Sequence, residues 1–257
     1  MNLQAAFGAP LTQLFAAKVA DYQAARPDYP ADLFEWLAGQ LPADPRVLDL
    51  GAGTGLFTQS LLARGWEVLA VEPEAAMRAA CDARLGAHPR YRSAAGQAEA
   101  LPADAADFDL ITAAQAFHWF DVGPARRQFE RVLRPGGRVA LVWNDRVAES
   151  ALNRELDALL TEFGGHGRAA QTADNDRARA HEFLGADLQQ WTGPHGHRLD
   201  QTGLQALVFS RSYMPARDSA AGQALMPLLA ALFSRHAANG QVELPYRTLC
   251  LMGSLRC

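Results

Sequence analysis

Hydrophobic residues recur along this chain with two periods, and the points where one gives way to the other mark its elements. Residues 47–50 (VLDL), 67–71 (EVLAV), 107–114 (DFDLITAA) and 138–143 (RVALVW) are short apolar runs, with a weaker one at 91–94. Runs of this length read as strands, and the nearly continuous 138–143 reads as a strand buried on both faces. Between them the period lengthens. Leu33, Leu37 and Leu41 share a face of a helix over 31–41, and Phe57, Leu61 and Leu62 belong to one that begins at Thr54 or Gly55 and stops at Gly65. Met77, Cys81 and Leu85 recur every four residues in a helix with Pro73 at its first position, which makes Cys81 a core residue. Ala125, Phe129, Val132 and Leu133 mark a fourth helix over 123–133, and LRPGG turns the chain into the next strand. Repeated strand–helix alternation predicts a parallel sheet with helices on both sides, an α/β fold.

The flanks carry weaker patterns. Residues 1–14 lack periodicity and read as a loose arm, and Pro27 and Pro30 should stop any helix through Tyr22 near Arg26. A helix is expected over 148–163, then a polar, mobile stretch over 164–180. A strand over 191–199 would be interrupted by Gly193, Pro194 and Gly196. Asp200 caps a helix to Tyr213, and Leu225, Leu228, Leu229, Leu232 and Phe233 form a stripe that Pro227 should kink or delay. A last strand covers 246–251.

The chemistry concentrates at residues 46–57, RVLDLGAGTGLF, a strand, a tight glycine turn and a helix start. Glycines let backbone close on a ligand, and the helix N-terminus behind them aims free N–H groups into the same space. The spacing is G-x-G-x-G, whereas a dinucleotide turn wants a third glycine where Leu56 stands. Asp49 ends the strand where a carboxylate can face a cationic ligand, and Glu72, 21 residues after Gly51, ends the next strand where it can accept both hydroxyls of a ribose.

With these residues in view, the chain resembles the class I S-adenosylmethionine-dependent methyltransferases: LDLGAGTG is similar to their first motif and VEPE to their second. The resemblance implies a Rossmann-like doubly wound sheet of seven strands, the last antiparallel, with S-adenosyl-L-methionine as cofactor. It assigns cofactor binding to Asp49, Gly51, Ala52, Gly53, Gly55, Glu72, Pro73, Gln97, Ala98 and Gln115. In GQAEALP, residues 96–102, Gln97 stands where the family usually has Asp to take the adenine amine, with Glu99 as competitor. Tyr22, Arg26, Pro27, Tyr29 and Pro30 (Y-x3-RPxYP), with QAFHWFD at 115–121 and the later SRSYMP and VELPYRT, look like a subgroup that includes trans-aconitate-type enzymes. There the N-terminal segment covers the cofactor and substrate cleft; tyrosines that merely pack on the core are the alternative. This implies a cap over 1–42, a cofactor core over 43–145 and a substrate cover over 146–257.

Residues 115–121 follow the fourth strand, beyond the carboxyl ends of the sheet, where ligands sit in such folds. His118 is the candidate catalytic residue, as a general base. Tyr22, Arg26, Tyr29, His118, Trp119 and Arg146 are the candidate substrate contacts. A carboxylate acceptor needs no base but wants an arginine, with Arg26, Arg146 and Arg211 as candidates, whereas a hydroxyl or amine acceptor would use His118. His195 and His197 share a strand face, yet no third ligand has useful spacing, so no metal is expected. The expected partner is a small-molecule methyl acceptor bearing an O, N or C nucleophile, a carboxylic acid among the options. A nicotinamide-dependent oxidoreductase and a non-catalytic cofactor-binding regulator are the alternatives.

Composition narrows the partners. The chain has 257 residues, 49% apolar, with a net charge of -4, which gives no footprint for a nucleic acid. Cys81, Cys250 and Cys257 lack paired or metal-type spacing, which fits a reducing cytoplasm. Lys18 and Asp21 break the one candidate leader, and no apolar run has membrane-spanning length, so a cytoplasmic monomer or homodimer is expected.

Overall fold

The computed structural model describes residues 19–164 and 168–255, and the side chains of all of these except 168–175. The expected arm at 1–14 lies outside the described residues. In chain order the elements are α1 (Val19–Ala25), α2 (Ala31–Ala38), β1 (Arg46–Leu50), α3 (Leu56–Ala63), β2 (Glu67–Val71), α4 (Ala75–Leu85), β3 (Tyr91–Ala94), β4 (Phe108–Ala114), α5 (Val122–Val132), β5 (Leu133–Arg146), α6 (Ala151–Gly164), α7 (Arg168–Phe183), β6 (Gln189–Leu199), α8 (Gln201–Phe209), α9 (Ala220–His236) and β7 (Val242–Gly253). The strands form one sheet in the order β3-β2-β1-β4-β5-β7-β6. Strand β1 pairs in parallel with β2 and β4, β2 with β3, and β4 with β5, while the last strands run antiparallel. This is the Rossmann-like seven-stranded sheet that the resemblance implies. The strand order reverses between β1 and β4, and in open α/β sheets ligands bind beyond the strand ends at that reversal.

By its contacts the chain divides into two compact units. One takes residues up to Asp28, Asp145–Ala170 and Pro194–Arg247, and the other takes Tyr29–Asn144, Gln171–Gly193 and the chain from Thr248. In the second unit the period of two decides which core each strand residue joins. Leu48, Leu50, Val71, Ile111, Ala113, Val139, Leu141, Trp143 and Leu251 enter one core with Phe129 of α5 and Phe183 of α7. Their neighbours Val47, Val68, Ala70, Leu110, Ala140, Val142, Cys250 and Met252 enter the other, with Leu33, Phe57, Leu61 and Cys81 of the helices on that side. Burial on both faces is what near-continuous apolar strands require. The first unit has its own core, in which Leu152, Leu156 and Leu160 of α6 meet Leu204 and Leu207 of α8, Leu225, Leu229 and Leu232 of α9, and Leu244 and Tyr246 of β7.

Several elements differ from the pattern-based expectation. Helix α7 occupies the stretch expected to be mobile, and it is anchored where Ala180 and Phe183 are buried at its C-terminal end. Pro73 precedes α4 rather than opening it, because Glu74 caps that helix by accepting from Ala76 N–H at 3.0 Å. Helix α9 runs unbroken through Pro227, since that residue is on the exposed side, where water can take up the carbonyl the ring leaves unpaired. Leu228 leaves the expected stripe and is 40% exposed. Helix α8 ends at Phe209, short of Tyr213, although Asp200 does cap it through Gly203 N–H at 2.7 Å. Strand β6 is continuous through Gly193, Pro194 and Gly196, at the sheet edge where a missing N–H is tolerated. The RPGG turn sits inside β5 as a register shift: Phe108 faces Leu133 while Leu110 faces Arg138.

In the first unit one side chain joins the start of α6 to β7. Asn153, fully buried, donates its amide to Val147 O at 3.0 Å and Pro245 O at 2.9 Å. Asn153→Ala removes the donor from both carbonyls and is expected to lower unfolding stability by about 1–3 kcal/mol in urea titrations. Asn153→Asp should cost more at neutral pH than at pH 4, because it sets a carboxylate against two carbonyl oxygens.

Candidate active site

The glycine turn is lashed to the end of the neighbouring strand. Gly51 N–H at 2.9 Å and Ala52 N–H at 3.3 Å both donate to Val71 O, and Gly55 N–H closes the turn on Ala52 O at 2.9 Å. Gly51 has φ +65°, and a Cβ there would stand 2.6 Å from the Ala116 Cβ, so the loop after β4 leaves no room for a side chain. Gly55, with φ +84°, is the N-cap residue of α3.

Glu72 stands at the tip of β2, directly after Val71. One carboxylate oxygen accepts from Gly53 N–H and the other from Glu74 N–H, each at 2.9 Å. Burial pushes its carboxyl up, and the two backbone donors oppose that shift. The aim of the side chain is therefore fixed by backbone rather than by packing. Pro73, between Glu72 and Glu74, has no N–H to compete for the carboxylate.

Asp49 behaves differently from a carboxylate that faces a ligand. It is 1% exposed, and its two oxygens accept from the Thr58 hydroxyl at 2.6 Å and the Thr112 hydroxyl at 2.7 Å. It thereby ties β1 to α3 and β4 beneath the turn. Burial raises its pKa to about 6 against the help of both hydroxyls. Neither threonine stood out in the sequence, although Thr112 falls on the same strand parity as the buried Leu110.

Beyond β4, Gln115 adopts φ +57°, an uncommon conformation for a non-glycine residue. Its backbone N–H donates to Val142 O at 2.8 Å, and its side-chain amide reaches Asn144 O at 3.1 Å. Asn144 in turn accepts from the Thr248 hydroxyl at 2.6 Å, so the ends of β4 and β5 are linked to the middle of β7. In the 96–102 loop Gln97 is exposed and Ala98 buried, with Ala100 N–H bonded to Gln97 O at 3.0 Å. Glu99, the competitor for the adenine position, accepts from Asp121 N–H at 2.6 Å, next to the start of α5.

His118 and Trp119 lie in a single 3₁₀ turn, Phe117–Trp119, with ring centroids 4.7 Å apart. His118 Nδ1 is 3.6 Å from Asp176 Oδ2 on α7. Asp176 went unnoticed in the sequence, since it belongs to a polar stretch with no periodicity to mark a buried face. Tyr29, also in this unit, packs edge-on against Phe57 at 4.8 Å.

The other unit holds the remaining candidates. Arg26 lies 4.7 Å over the Tyr22 ring and reaches Ser210 O at 3.4 Å. Arg146, a candidate substrate contact, is 15% exposed and paired with Asp157. Arg211 donates to the Tyr213 hydroxyl at 3.3 Å. Burial, and after it the charges of Arg146 and Arg26, pull its guanidinium down to about 10. The three arginines thus come together within one unit. His195 is committed to Asp28 at 2.9 Å and His197 to Ala25 O at 2.8 Å.

Comparison with known proteins matches this geometry. Residues 48–141 match the methyltransferase domain family. An uncharacterized methyltransferase of Mycobacterium tuberculosis H37Rv is 36% identical over 248 residues, covering 94% of this chain and 95% of the relative. A solved structure assigned as a type II methyltransferase from Anaeromyxobacter dehalogenans superposes with a TM-score of 0.70 at 26% identity, over 90% of this chain and 99% of that one. A phosphoethanolamine N-methyltransferase of Haemonchus contortus, solved with S-adenosylhomocysteine, shares the fold at a TM-score of 0.54 and 13% identity, over 96% of this chain and 60% of that one. The chain belongs to the class I S-adenosylmethionine-dependent methyltransferases. It is an enzyme of that class, and its cofactor is S-adenosyl-L-methionine. Among the described residues no helix is long and apolar enough to cross a membrane.

The buried Asp49 carboxyl sets a pH dependence. Between about pH 4 and about 6 the folded chain holds a proton that the unfolded chain has released, so stability falls as pH rises through that window. The slope from this one group is at most about 1.4 kcal/mol per pH unit. Asp49→Asn cannot titrate there, so its stability relative to wild type should improve from pH 4 to pH 7, as read by denaturant midpoints at each pH.

Proposed function

We propose that this protein transfers a methyl group from S-adenosylmethionine to an O, N or C nucleophile of a small molecule, and that a carboxylic acid is the acceptor class. The observation that carries the cofactor half is Glu72, whose carboxylate is held by the Gly53 and Glu74 amides at the mouth of the glycine turn. Each of its oxygens keeps acceptor capacity for a ribose hydroxyl. The residues fit the cofactor in two further respects. The turn is bare of side chains at Gly51, Gly53 and Gly55, and the Thr54 hydroxyl is a buried polar atom with no hydrogen-bond partner among the described residues. In this reading Asp49 shapes the turn from below, Gly51–Gly55 approach the ligand with backbone, and Pro73 frees Glu72 from a competing donor. Gln97 and Ala98 take the adenine edge, and Gln115 holds the loop after β4 against the turn.

When bound, the cofactor supplies a methyl on a sulfonium, already an excellent leaving group. The task left to the protein is alignment and exclusion of water. His118 and Trp119 are the reacting-end residues of this proposal, with Tyr22, Arg26, Tyr29 and Arg146 as acceptor contacts. Support for an acidic acceptor is the convergence of Arg26, Arg146 and Arg211 beside Tyr22, Tyr213 and Tyr246. Guanidiniums are suited to carboxylates because their planar fork offers paired donors. Among the described residues, the buried Nε atoms of Arg26 and Arg146 have no hydrogen-bond partner.

Calorimetric titration with S-adenosylmethionine, S-adenosylhomocysteine and NADH tests the reading. Both sulfur compounds should bind saturably and NADH should not. Glu72→Ala should weaken them at least about tenfold, roughly 1.4 kcal/mol, as expected for losing hydrogen bonds to a charged group. A folded sample that binds neither sulfur compound overturns the reading. For the acceptor, Arg26→Gln should raise KM for small acids while leaving S-adenosylmethionine affinity unchanged, and an unaltered KM argues against the arginine cluster.

A further inference from the structure

The chain leaves the sheet at Gln115, and a side chain completes the hydrogen bonding that the backbone abandons there. Strands β4 and β5 pair in parallel, with Ala114 opposite Val142. Gln115 N–H takes Val142 O at 2.8 Å, so the next carbonyl of β5 that faces β4 is that of Asn144, two residues on. A strand that continued would offer it the backbone N–H of Phe117. Gln115 instead turns left-handed, with φ +57°, and its own side-chain amide donates to Asn144 O at 3.1 Å. A carbonyl can only accept, so the amide nitrogen is the end that faces it. The turn this permits brings Ala116 against the glycine turn, its Cβ 2.6 Å from where a Gly51 Cβ would stand, and the 3₁₀ turn Phe117–Trp119 follows.

Asn144 is held from its other side as well. Its Oδ1 accepts from the hydroxyl of Thr248, which lies in the middle of β7, the neighbour of β5 on the side away from β4. Thr248 is fully buried, and Cys250, Leu251 and Met252 after it are buried and apolar. A hydroxyl in such surroundings costs free energy that a valine would not, and the bond to Asn144 is what offsets that cost. Packing alone therefore gives no reason for threonine here. A left-handed glutamine, for its part, persists only where its surroundings fix it, and strain of that kind gathers at ligand sites. Thr248, Asn144, Gln115 and Gly51 all belong to one compact unit.

We propose that Thr248 is a positioning residue for S-adenosylmethionine binding. Through Asn144 it fixes the carbonyl that holds the Gln115 amide, and through Gln115 it sets how closely the loop after β4 closes on the glycine turn. It acts through these two residues and not by contact with the cofactor. The proposal rests on the cofactor reading above and deepens it, because it puts a determinant of cofactor affinity in β7, two strands away from β4 and far in sequence from the glycine turn.

Calorimetric titration with S-adenosylmethionine and S-adenosylhomocysteine on Thr248→Val and Thr248→Ser is the test. Valine keeps the shape and removes the donor, and it should weaken both compounds about three- to tenfold, the range for one lost hydrogen bond. Serine keeps the hydroxyl and should stay within about twofold of wild type. In a Gln115→Ala background, Thr248→Val should change affinity by less than about twofold, because the relay is already cut. Hydrogen exchange of the Gln115 N–H should be faster in Thr248→Val than in wild type, since the loop it begins has lost its anchor. A merely structural role predicts a lower urea midpoint with the affinity of the folded protein unchanged, and that result overturns the proposal. So does a Thr248→Val effect that adds in full to that of Gln115→Ala, or a serine variant as weak as the valine one. Should Thr248→Val not fold, Thr248→Ala carries the same cycle. A wild type that binds neither sulfur compound defeats the methyltransferase reading itself, whereas saturable wild-type binding left unmoved by Thr248→Val defeats only this proposal.

Discussion

The carbonyl of Val71 accepts two consecutive amides, those of Gly51 and Ala52, and the cofactor half of the fold depends on that junction. It joins the end of β2 to the first turn after β1, so the residue that follows Val71 is delivered beside the turn. That residue is Glu72, and the Gly53 and Glu74 amides then settle its carboxylate. The arrangement tolerates little change at Gly51, where the chain is left-handed and Ala116 blocks any side chain. Beneath it, Asp49 and its two threonines hold the strands and α3 in place, at the cost of a carboxyl buried in the core.

Much of this was legible because the period of two is strict. Leu48 and Leu50 enter one core and Val47 the other, and the same alternation holds along β2, β4, β5 and β7. A sheet buried on both faces writes itself into sequence as short apolar runs, and its glycine turn falls at the end of the first of them. Glu72 was legible for the same reason, as the first polar residue after a buried strand.

What was not legible lacked a period. Asp176 sits in a helix whose sequence is mostly charged and small, and although it shares a buried face with Ala180 and Phe183, a carboxylate adds nothing to an apolar repeat. The inward turn of Asp49 was hidden because a carboxylate at a strand end reads as ligand-facing until its hydroxyl partners are known. Arg26, Arg146 and Arg211 were each visible as candidates, yet 120 and 65 residues separate them in the chain, and their convergence belongs to tertiary packing. Pro227 misled because its exposed position in α9 makes it harmless there, and exposure cannot be read from residue type alone.

Cys81 shows a consequence of keeping thiols away from such chemistry. A protein that keeps a sulfonium close to its own side chains risks alkylating itself, and thiolates are the most reactive targets it carries. Cys81 lies under the turn, its sulfur 2.7 Å from where a Gly55 Cβ would stand. Burial lifts its pKa to about 11, and burial lifts that of Cys250 as well. Both thiols therefore stay protonated and poorly nucleophilic, and the electrophile is left to react with the acceptor rather than with the enzyme.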